Sequence, residues 1–258
     1  MRPSRVLAKL RKGEMVVCAG MNLGSPRAVE IAARCGYDCV WLGMEHVPNT
    51  LHDIEEQIRA AKMYDVDSIV RVPRGSYSDF IRPLELDASG IMVPHVMSAA
   101  DAREIVRRVR FYPLGRRPID GGNADAAYGM IPVADYIKQA NEQRFVSIQI
   151  EDPEPIDELD EIAAVEGIDI LFFGPVDFSH GIGKPDQLDH PEVVEAMRLV
   201  AQAAQKHGKF AGTPAGVIDI EEQIGMGYQF LLFGADVVGL SQYFRDMLEQ
   251  IHQIGKQV

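Results

Sequence analysis

FVSIQIE at residues 145–151 and ILFFGPVD at residues 170–177 are the two stretches that decide the fold. Each is a short, nearly continuous apolar run followed by an acid. Such runs are typical of parallel strands, because helices cover both faces of a parallel sheet. Six more runs of this kind lie outward from these two. The predicted strands are Val16–Gly20, Cys39–Gly43, Ser68–Val72, Gly90–Pro94, Phe145–Ile150, Asp169–Gly174, Lys209–Thr213 and Gln229–Phe233.

Segments with helical spacing of apolar residues separate the predicted strands. Examples are Ser25–Cys35, Leu51–Met63, Ala99–Val109, Pro132–Glu142, Pro191–His207 and Ile218–Met226. Eight strand–helix units in 258 residues favour a closed (β/α)8 barrel, known as a TIM barrel, within the α/β class. The alternative is an open α/β sheet, but no glycine-rich fingerprint follows the first strand.

The ends of the chain carry two further predicted helices. A short amphipathic helix ends at Gly13, and a last helix spans Leu240–Ile254. The apolar stripe of the last helix fits packing on its own barrel or exchange with a neighbouring subunit. We expect residues 1–258 to form a single barrel domain.

The charge and cysteine content limit the possible partners. The net charge is −12 and the estimated pI is 5.0, which argues against nucleic acid and anionic membranes as partners. No run of about 18 apolar residues predicts a membrane span. Three cysteines without a CxxC motif do not indicate a disulfide framework, so we expect a reducing, cytoplasmic setting.

Catalytic residues of a barrel enzyme lie at the C-terminal ends of its strands and in the loops that follow. Charged and hydrogen-bonding side chains at these positions are costly to bury without a role or a partner. The residues that meet this condition are Glu45, His46, Arg71, His95, Gln149, Glu151, Asp177 and Thr213.

Glu151 and Asp177 follow neighbouring predicted strands. Two carboxylates that converge there repel each other unless a cation or a shared proton joins them. Oxygen ligands favour Mg²⁺ or Mn²⁺, with Co²⁺ as a tolerable substitute. The alternative is that both residues are ordinary loop acids that cap helices.

Arg71 and His46 also have two interpretations each. An arginine within an apolar strand needs an anion, which is either a substrate oxyanion or an acid of a neighbouring strand. A histidine directly after a strand can be a general base, although a lone loop histidine is more often a surface residue. His95 shares this ambiguity with less support.

Six motifs, taken together, resemble the HpcH/HpaI family of class II pyruvate aldolases, within the phosphoenolpyruvate/pyruvate barrel superfamily. The similarity extends over most of the chain. The motifs are WLGMEHVPN (41–49), VRVP (70–73), GIMVP (90–94), YPLGRR (112–117), QIE (149–151) and GPVDFS (174–179).

The resemblance implies a role for each candidate residue. Glu151 and Asp177 would bind a divalent metal that holds pyruvate, and Arg71 would stabilise the enolate oxygen. His46 would act as acid/base on the hydroxyl group that becomes the aldehyde. Gly174, Val176 and Asp177 would supply backbone contacts to the pyruvate carboxylate. Gln149 would orient the site, and it and Arg71 would also bind the substrate.

This chain departs from the family pattern at position 43. The family commonly has an aspartate three residues before the histidine, and here that residue is Gly43. Glu45, another acid or an ordered water is expected to take its place, unless the acid/base step is weakened. Residues 117–123, within the long polar stretch 111–129, also differ from the family pattern and are expected to shape the site at the aldehyde or acceptor end of the substrate.

The predicted reaction is reversible cleavage of a 4-hydroxy-2-oxo acid to pyruvate, or an analogue such as hydroxypyruvate, and an aldehyde. The enzymatic alternatives are decarboxylation of an oxaloacetate-type acid, another lyase reaction through the same enolate, and a lyase of acyl-CoA esters. The non-enzymatic alternative is a keto-acid- or metal-binding protein whose activity has decayed. The resemblance also implies a homo-oligomer, a hexamer built as a trimer of dimers.

Overall fold

The computed structural model describes residues 1–216 and 218–255 and contains a closed barrel of eight parallel strands. Each strand pairs with the next one along the chain, and the eighth pairs with the first. The strands are β1 (Val16–Met21), β2 (Cys39–Gly43), β3 (Asp67–Arg71), β4 (Gly90–Val93), β5 (Phe145–Ile150), β6 (Ile170–Phe173), β7 (Phe210–Pro214) and β8 (Tyr228–Ala235). The predicted fold is confirmed, and every predicted strand boundary lies within two residues of the observed one.

Helices surround the barrel. They are α1 (Arg5–Leu10), α2 (Pro26–Arg34), α3 (Leu51–Met63), α4 (Tyr77–Glu85), α5 (Ala99–Val109), α6 (Val133–Gln143), α7 (Leu159–Ala163), α8 (Pro175–Gly181), α9 (Pro191–Lys206), α10 (Ile220–Gly225) and α11 (Asp236–Gly255). The predicted helices are all present. The last helix begins at Asp236 rather than at the predicted Leu240. Within the described residues, no helix combines the length and apolarity that a bilayer crossing requires.

Successive side chains of each strand point to opposite faces of the sheet, and this alternation produces two separate apolar cores. Along β2, Val40 and Leu42 pack outward against the helices, whereas Cys39 and Trp41 point into the barrel. The interior is filled by side chains from the strands, so the barrel is a packed core rather than a pore.

The N-terminal end of the barrel is closed by α1. Its apolar residues Val6, Leu7 and Leu10 join the interior core. Asp67 at the start of β3 accepts hydrogen bonds from the Ser4 hydroxyl at 2.6 Å and from the Val6 N–H at 2.9 Å. The opening into the barrel lies at the C-terminal end.

Candidate active site

A pocket of about 180 Å³ opens at the C-terminal end of the barrel. Five predicted site residues line it: Arg71, Gln149, Gly174, Val176 and Asp177. The other lining residues are Trp41, Met92, Phe172, Pro175, Pro214 and Leu232. The pocket therefore combines an apolar floor with a polar side formed by residues of β3, β5 and the β6–α8 connection.

Glu151 is buried beside this pocket, with 1% of its surface exposed. Its Oε1 accepts a hydrogen bond from the His95 backbone N–H at 2.8 Å, and its Oε2 accepts one from the Gln149 side-chain amide. A Cβ atom at position 174 would lie 2.7 Å from both Glu151 Cβ and Oε2, so the close approach of Glu151 requires Gly174. Neither Glu151 contact is a helix cap.

Burial raises the pKa of Glu151 to about 7, and the negative charge of Asp177 adds to this effect. Asp177 itself is exposed, in the first turn of α8. The segment after β6 is thus helical, with Gly174 as its N-cap residue and no side-chain capping hydrogen bond. Without a cation, the protein environment favours keeping a proton on Glu151.

The donor atoms around Glu151 fit a hard divalent cation. Its carboxylate and that of Asp177 offer oxygen ligands, and the buried Gln149 Oε1 has no hydrogen-bond partner. Across residues 1–216 and 218–255, no group of three or more His, Cys, Asp or Glu side chains is arranged to hold a metal. Water and substrate oxygens would have to complete the coordination, which suits Mg²⁺ because it usually keeps several waters.

Arg71 ends β3 at the edge of the pocket, and 14% of its side chain is exposed. Its Nε lies 3.0 Å from Glu45 Oε2, but the two atoms are not aligned for a hydrogen bond. Its Cζ lies 4.6 Å from the centroid of the Trp41 ring. The predicted ion pair with a neighbouring acid and the predicted place in the site are thus both present.

Comparisons with known proteins show the family to which the chain belongs. A family model described as HpcH/HpaI aldolase/citrate lyase matches residues 21–241. The chain belongs to this family. A 2-keto-3-deoxy-L-rhamnonate aldolase from Escherichia coli strain K12 is 34% identical over 244 residues, which cover 94% of this chain and 89% of that protein. The HpcH/HpaI expectation from the sequence is thereby confirmed.

Solved structures of similar proteins have the same barrel. An HpcH/HpaI aldolase/citrate lyase family protein from Burkholderia cenocepacia J2315 has a TM-score of 0.89 and 33% identity, with 96% of this chain and 99% of that chain covered. The citrate synthase SbnG has a TM-score of 0.88 and 29% identity, with 96% and 98% covered. Membership of the HpcH/HpaI family confirms an enzyme of the aldolase class of lyases.

His46, the residue that the HpcH/HpaI resemblance implies as acid/base, lies outside the set of residues that line the pocket. Its side chain is 68% exposed, and its Nε2 is 3.7 Å from Glu45 Oε1, beyond hydrogen-bond distance. Glu45 is therefore the nearest acid to His46 in place of an aspartate at position 43, although the two side chains are not hydrogen-bonded.

His95 lies directly beside Glu151, which the sequence did not indicate. Its Nδ1 lies 2.9 Å from Asp152 Oδ2, and its backbone is left-handed, with φ of 48°. Burial lowers the pKa of His95, but the Asp152 hydrogen bond and the charges of Glu151, Asp152 and Glu45 raise it overall. The sequence signal was present, because His95 and Asp152 both follow strands, but nothing in the sequence joined them.

Gly174 contributes differently from the implied role. Its N–H donates to the Ile150 carbonyl at 2.9 Å in the strand ladder, so this N–H is not available to a substrate carboxylate. Val176 and Asp177 lie in the first turn of α8, where backbone N–H groups have no partner within the helix. Only these two of the three implied backbone donors remain.

The polar stretch 111–129 lies away from this pocket. It joins α5 to α6, and its Phe111 N–H donates to Asn141 Oδ1 at 3.0 Å. Arg117 and Asp125 form a buried ion pair at 2.9 Å, to which Tyr136 donates a hydrogen bond at 2.7 Å. Because α5 runs back from the C-terminal end of β4, the stretch starts at the opposite end of the barrel. The expectation that it shapes the aldehyde end of this chain's own pocket is wrong.

Proposed function

We propose that this protein is a divalent-metal-dependent aldolase that cleaves a 4-hydroxy-2-oxo acid to pyruvate, or a close analogue, and an aldehyde. The observation that carries the proposal is the buried Glu151 beside Asp177 and Arg71 at one pocket. The 2-keto-3-deoxy sugar acid named for the Escherichia coli relative carries a hydroxyl group at C4, so it belongs to this substrate class.

Glu151 and Asp177 would hold Mg²⁺, Mn²⁺ or Co²⁺. When bound, the metal supplies Lewis-acid stabilisation of negative charge. Gln149 orients Glu151 through its amide and keeps its free Oε1 towards the site. The backbone N–H groups of Val176 and Asp177 are suited to the pyruvate carboxylate.

Arg71 would stabilise the oxygen on which negative charge develops as the C3–C4 bond of the substrate breaks. A fixed guanidinium lowers the barrier because it interacts more strongly with the enolate than with the neutral ketone. The mostly buried position of Arg71, with 14% of the side chain exposed, strengthens this interaction.

His46 would take the proton from the C4 hydroxyl, through a water molecule in view of its exposure. The assignment comes from the resemblance and is tested by His46→Ala. This change should impair aldol cleavage more than decarboxylation of a preformed keto diacid, because only cleavage needs that proton to be removed. Equal losses in both reactions would contradict the role.

Exchange of the pyruvate methyl protons for deuterium, followed by NMR, tests the proposal. We expect exchange that requires Mg²⁺ or Mn²⁺, disappears in Glu151→Gln and persists in Glu154→Gln, which changes an exposed acid three residues away. The absence of exchange with every divalent ion would exclude both the aldolase and the oxaloacetate-type decarboxylase.

Oxaloacetate decarboxylation is the second candidate, because it needs the same stabilised enolate. The similarity to a citrate synthase, which joins carbon atoms, supports keeping reactions other than aldol cleavage open for this barrel. A panel of aldehydes offered with pyruvate separates the two candidates, since a decarboxylase would not form aldol products.

We also propose a cytoplasmic homo-oligomer, a hexamer arranged as a trimer of dimers with exchanged C-terminal helices. The support is the exposed apolar surface of α11, which includes Leu240, Phe244, Leu248 and Ile251. An apolar surface of this kind normally has a partner. Light scattering after size-exclusion chromatography gives the mass, and a monomer would contradict this part of the proposal.

A further inference from the structure

Trp41 occupies a position that the proposed reaction does not yet use. It is the only tryptophan of the chain, it points into the barrel from β2, and 7% of its surface is exposed. It lines the same pocket as Arg71 and Asp177. In the β2–β3 register, Gly43 lies opposite Arg71, two residues beyond Trp41.

Both the indole ring and the Glu45 carboxylate lie against the Arg71 guanidinium. Its Cζ is 4.6 Å from the ring centroid, within the range of a cation–π interaction, and its Nε is 3.0 Å from Glu45 Oε2. Across residues 1–216 and 218–255, no hydrogen bond involves the two terminal amino groups of Arg71. These groups remain available to an oxyanion in the pocket.

The same ring explains the glycine at position 43. A Cβ atom there would lie 3.3 Å from two atoms of the Trp41 ring and 3.0 Å from Val47 Cγ2. Both contacts are tighter than ordinary van der Waals distance. A larger side chain at position 43, such as a carboxylate beside Arg71, would compete with the indole for one space.

We propose that Trp41 is a positioning residue, whose ring holds the Arg71 guanidinium over the pocket in the space that Gly43 leaves open. The role rests on the proposed function, since Arg71 must act on the enolate for its orientation to affect turnover. An uncharged ring positions the guanidinium without adding a second negative charge to that of Glu45.

The kinetic test compares Trp41→Leu with Trp41→Phe in metal-dependent pyruvate exchange. We expect kcat to fall about tenfold in the leucine variant, with KM within about twofold, because the lost alignment acts on the transition state. Phenylalanine keeps a ring face and should restore most of the loss. Phe230→Leu removes another interior ring outside the pocket lining and should leave kcat unchanged.

Competition for space is tested by Gly43→Asp in two backgrounds. With Trp41 present, the aspartate must displace the ring, and we expect a larger loss of kcat than in Trp41→Leu. In the double variant with Trp41→Leu, the aspartate has room, so the two changes should cost less together than the product of their separate effects. Strictly multiplicative losses would contradict a shared space.

Fluorescence tests the contact without turnover. Because Trp41 is the only tryptophan, its emission reports on this pocket alone. We expect Arg71→Met to shift the emission maximum, and Arg74→Met, which alters a neighbouring arginine paired with Asp101, to leave it unchanged. Adding oxalate with Mg²⁺ should change the emission of the wild-type protein and not that of Arg71→Met.

The two proposals fail in different ways. If the wild-type protein exchanges pyruvate protons but Trp41→Leu matches it in kcat and KM, the positioning role is overturned and the aldolase stands. Equal losses for leucine and phenylalanine would also overturn it, because the ring would then only fill space. If no exchange occurs with any divalent ion, the aldolase proposal fails, and unchanged emission in Arg71→Met would separately reject the contact.

Discussion

The two ends of the barrel use similar residues for different purposes. At the N-terminal end, each of four aspartates at or near a strand start contacts a lysine or arginine. Asp38 contacts Lys9 and Asp67 contacts Arg2, while Asp87 contacts Lys62 and Arg144, and Asp169 contacts Arg110. Three of the four also accept a backbone N–H or a side-chain hydroxyl.

At the C-terminal end, Glu151 accepts hydrogen bonds only from neutral groups, the His95 backbone and the Gln149 amide. Burial then raises its pKa to about 7. Breaking the ion pair of a buried acid destabilises the fold, whereas Glu151, whose ion-pair partner is the titratable His95 at 3.6 Å, keeps its capacity to bind a cation from solution.

Asp67→Ala should produce the largest effect on stability. Asp67 is fully buried and accepts from Arg2, Ser4 and Val6, so its removal takes the buried partner from Arg2 and leaves the Ser4 hydroxyl and the Val6 N–H without this acceptor. We expect the free energy of unfolding in urea to fall by about 3–5 kcal/mol. Asp65→Ala, which removes an exposed partner of the same arginine, should cost under about 0.5 kcal/mol. Equal losses of unfolding free energy in Asp67→Ala and Asp65→Ala would contradict the structural role of the buried aspartate.

Glu151→Gln should instead raise the stability of the metal-free protein. The folded-state pKa lies above the unfolded value, so the folded chain holds a proton that the unfolded chain releases, and stability falls as pH rises from about 4.5 through 7. Glutamine removes this loss, and we expect a gain of about 2–3 kcal/mol near pH ~8 but little near pH ~5. Thermal unfolding at both pH values measures it, and a gain that does not depend on pH would contradict it.

Metal addition should stabilise only an intact site. At a free metal concentration of about 100 times its Kd, Mg²⁺ or Mn²⁺ should add about 2.7 kcal/mol to the stability of the wild-type protein. Glu151→Gln and Asp177→Asn should lose most of this gain, while Asp67→Asn should retain it in whatever fraction folds. Equal stabilisation of all variants would place the cation elsewhere.

The smallest effect concerns the turn at His95. Its left-handed backbone, with φ of 48°, directs its N–H to Glu151 Oε1. A β-branched residue adopts this conformation poorly, so His95→Val should cost about 1–2 kcal/mol and weaken metal binding. His95→Asn tolerates the conformation and should cost under about 0.5 kcal/mol. Calorimetric titration with Mn²⁺ compares the affinities, and equal affinities would show that the turn does not position Glu151.

Most of what could be predicted came from the pattern of apolar residues in the strands. Near-continuous apolar runs identified all eight strands, because burial on both faces constrains almost every residue of a parallel strand. The same rule located the site, since parallel strands bring their C-terminal ends together. Arg71, Gln149 and Asp177 were thereby correctly expected to share one pocket.

Contacts between side chains from different loops could not be predicted in this way. The sequence did not indicate that His95 would reach Asp152, or that His46 would remain exposed, because loop conformation depends on the atoms packed around it. The stretch 111–129 looked like an active-site loop from its composition alone. Its position followed instead from the direction of α5 and from the buried pair of Arg117 and Asp125.

The sequence by itself determined the closed barrel and the end at which the candidate residues gather, because periodic burial and strand order are properties of the chain. Only the tertiary structure decided the pKa of Glu151 and the position of the Arg71 guanidinium. Glu151 has a raised pKa because of its burial beside Asp177, and Arg71 lies against Trp41 because Gly43 leaves room for the ring. Both effects depend on distances of a few ångströms between residues far apart in the chain, which no local pattern encodes.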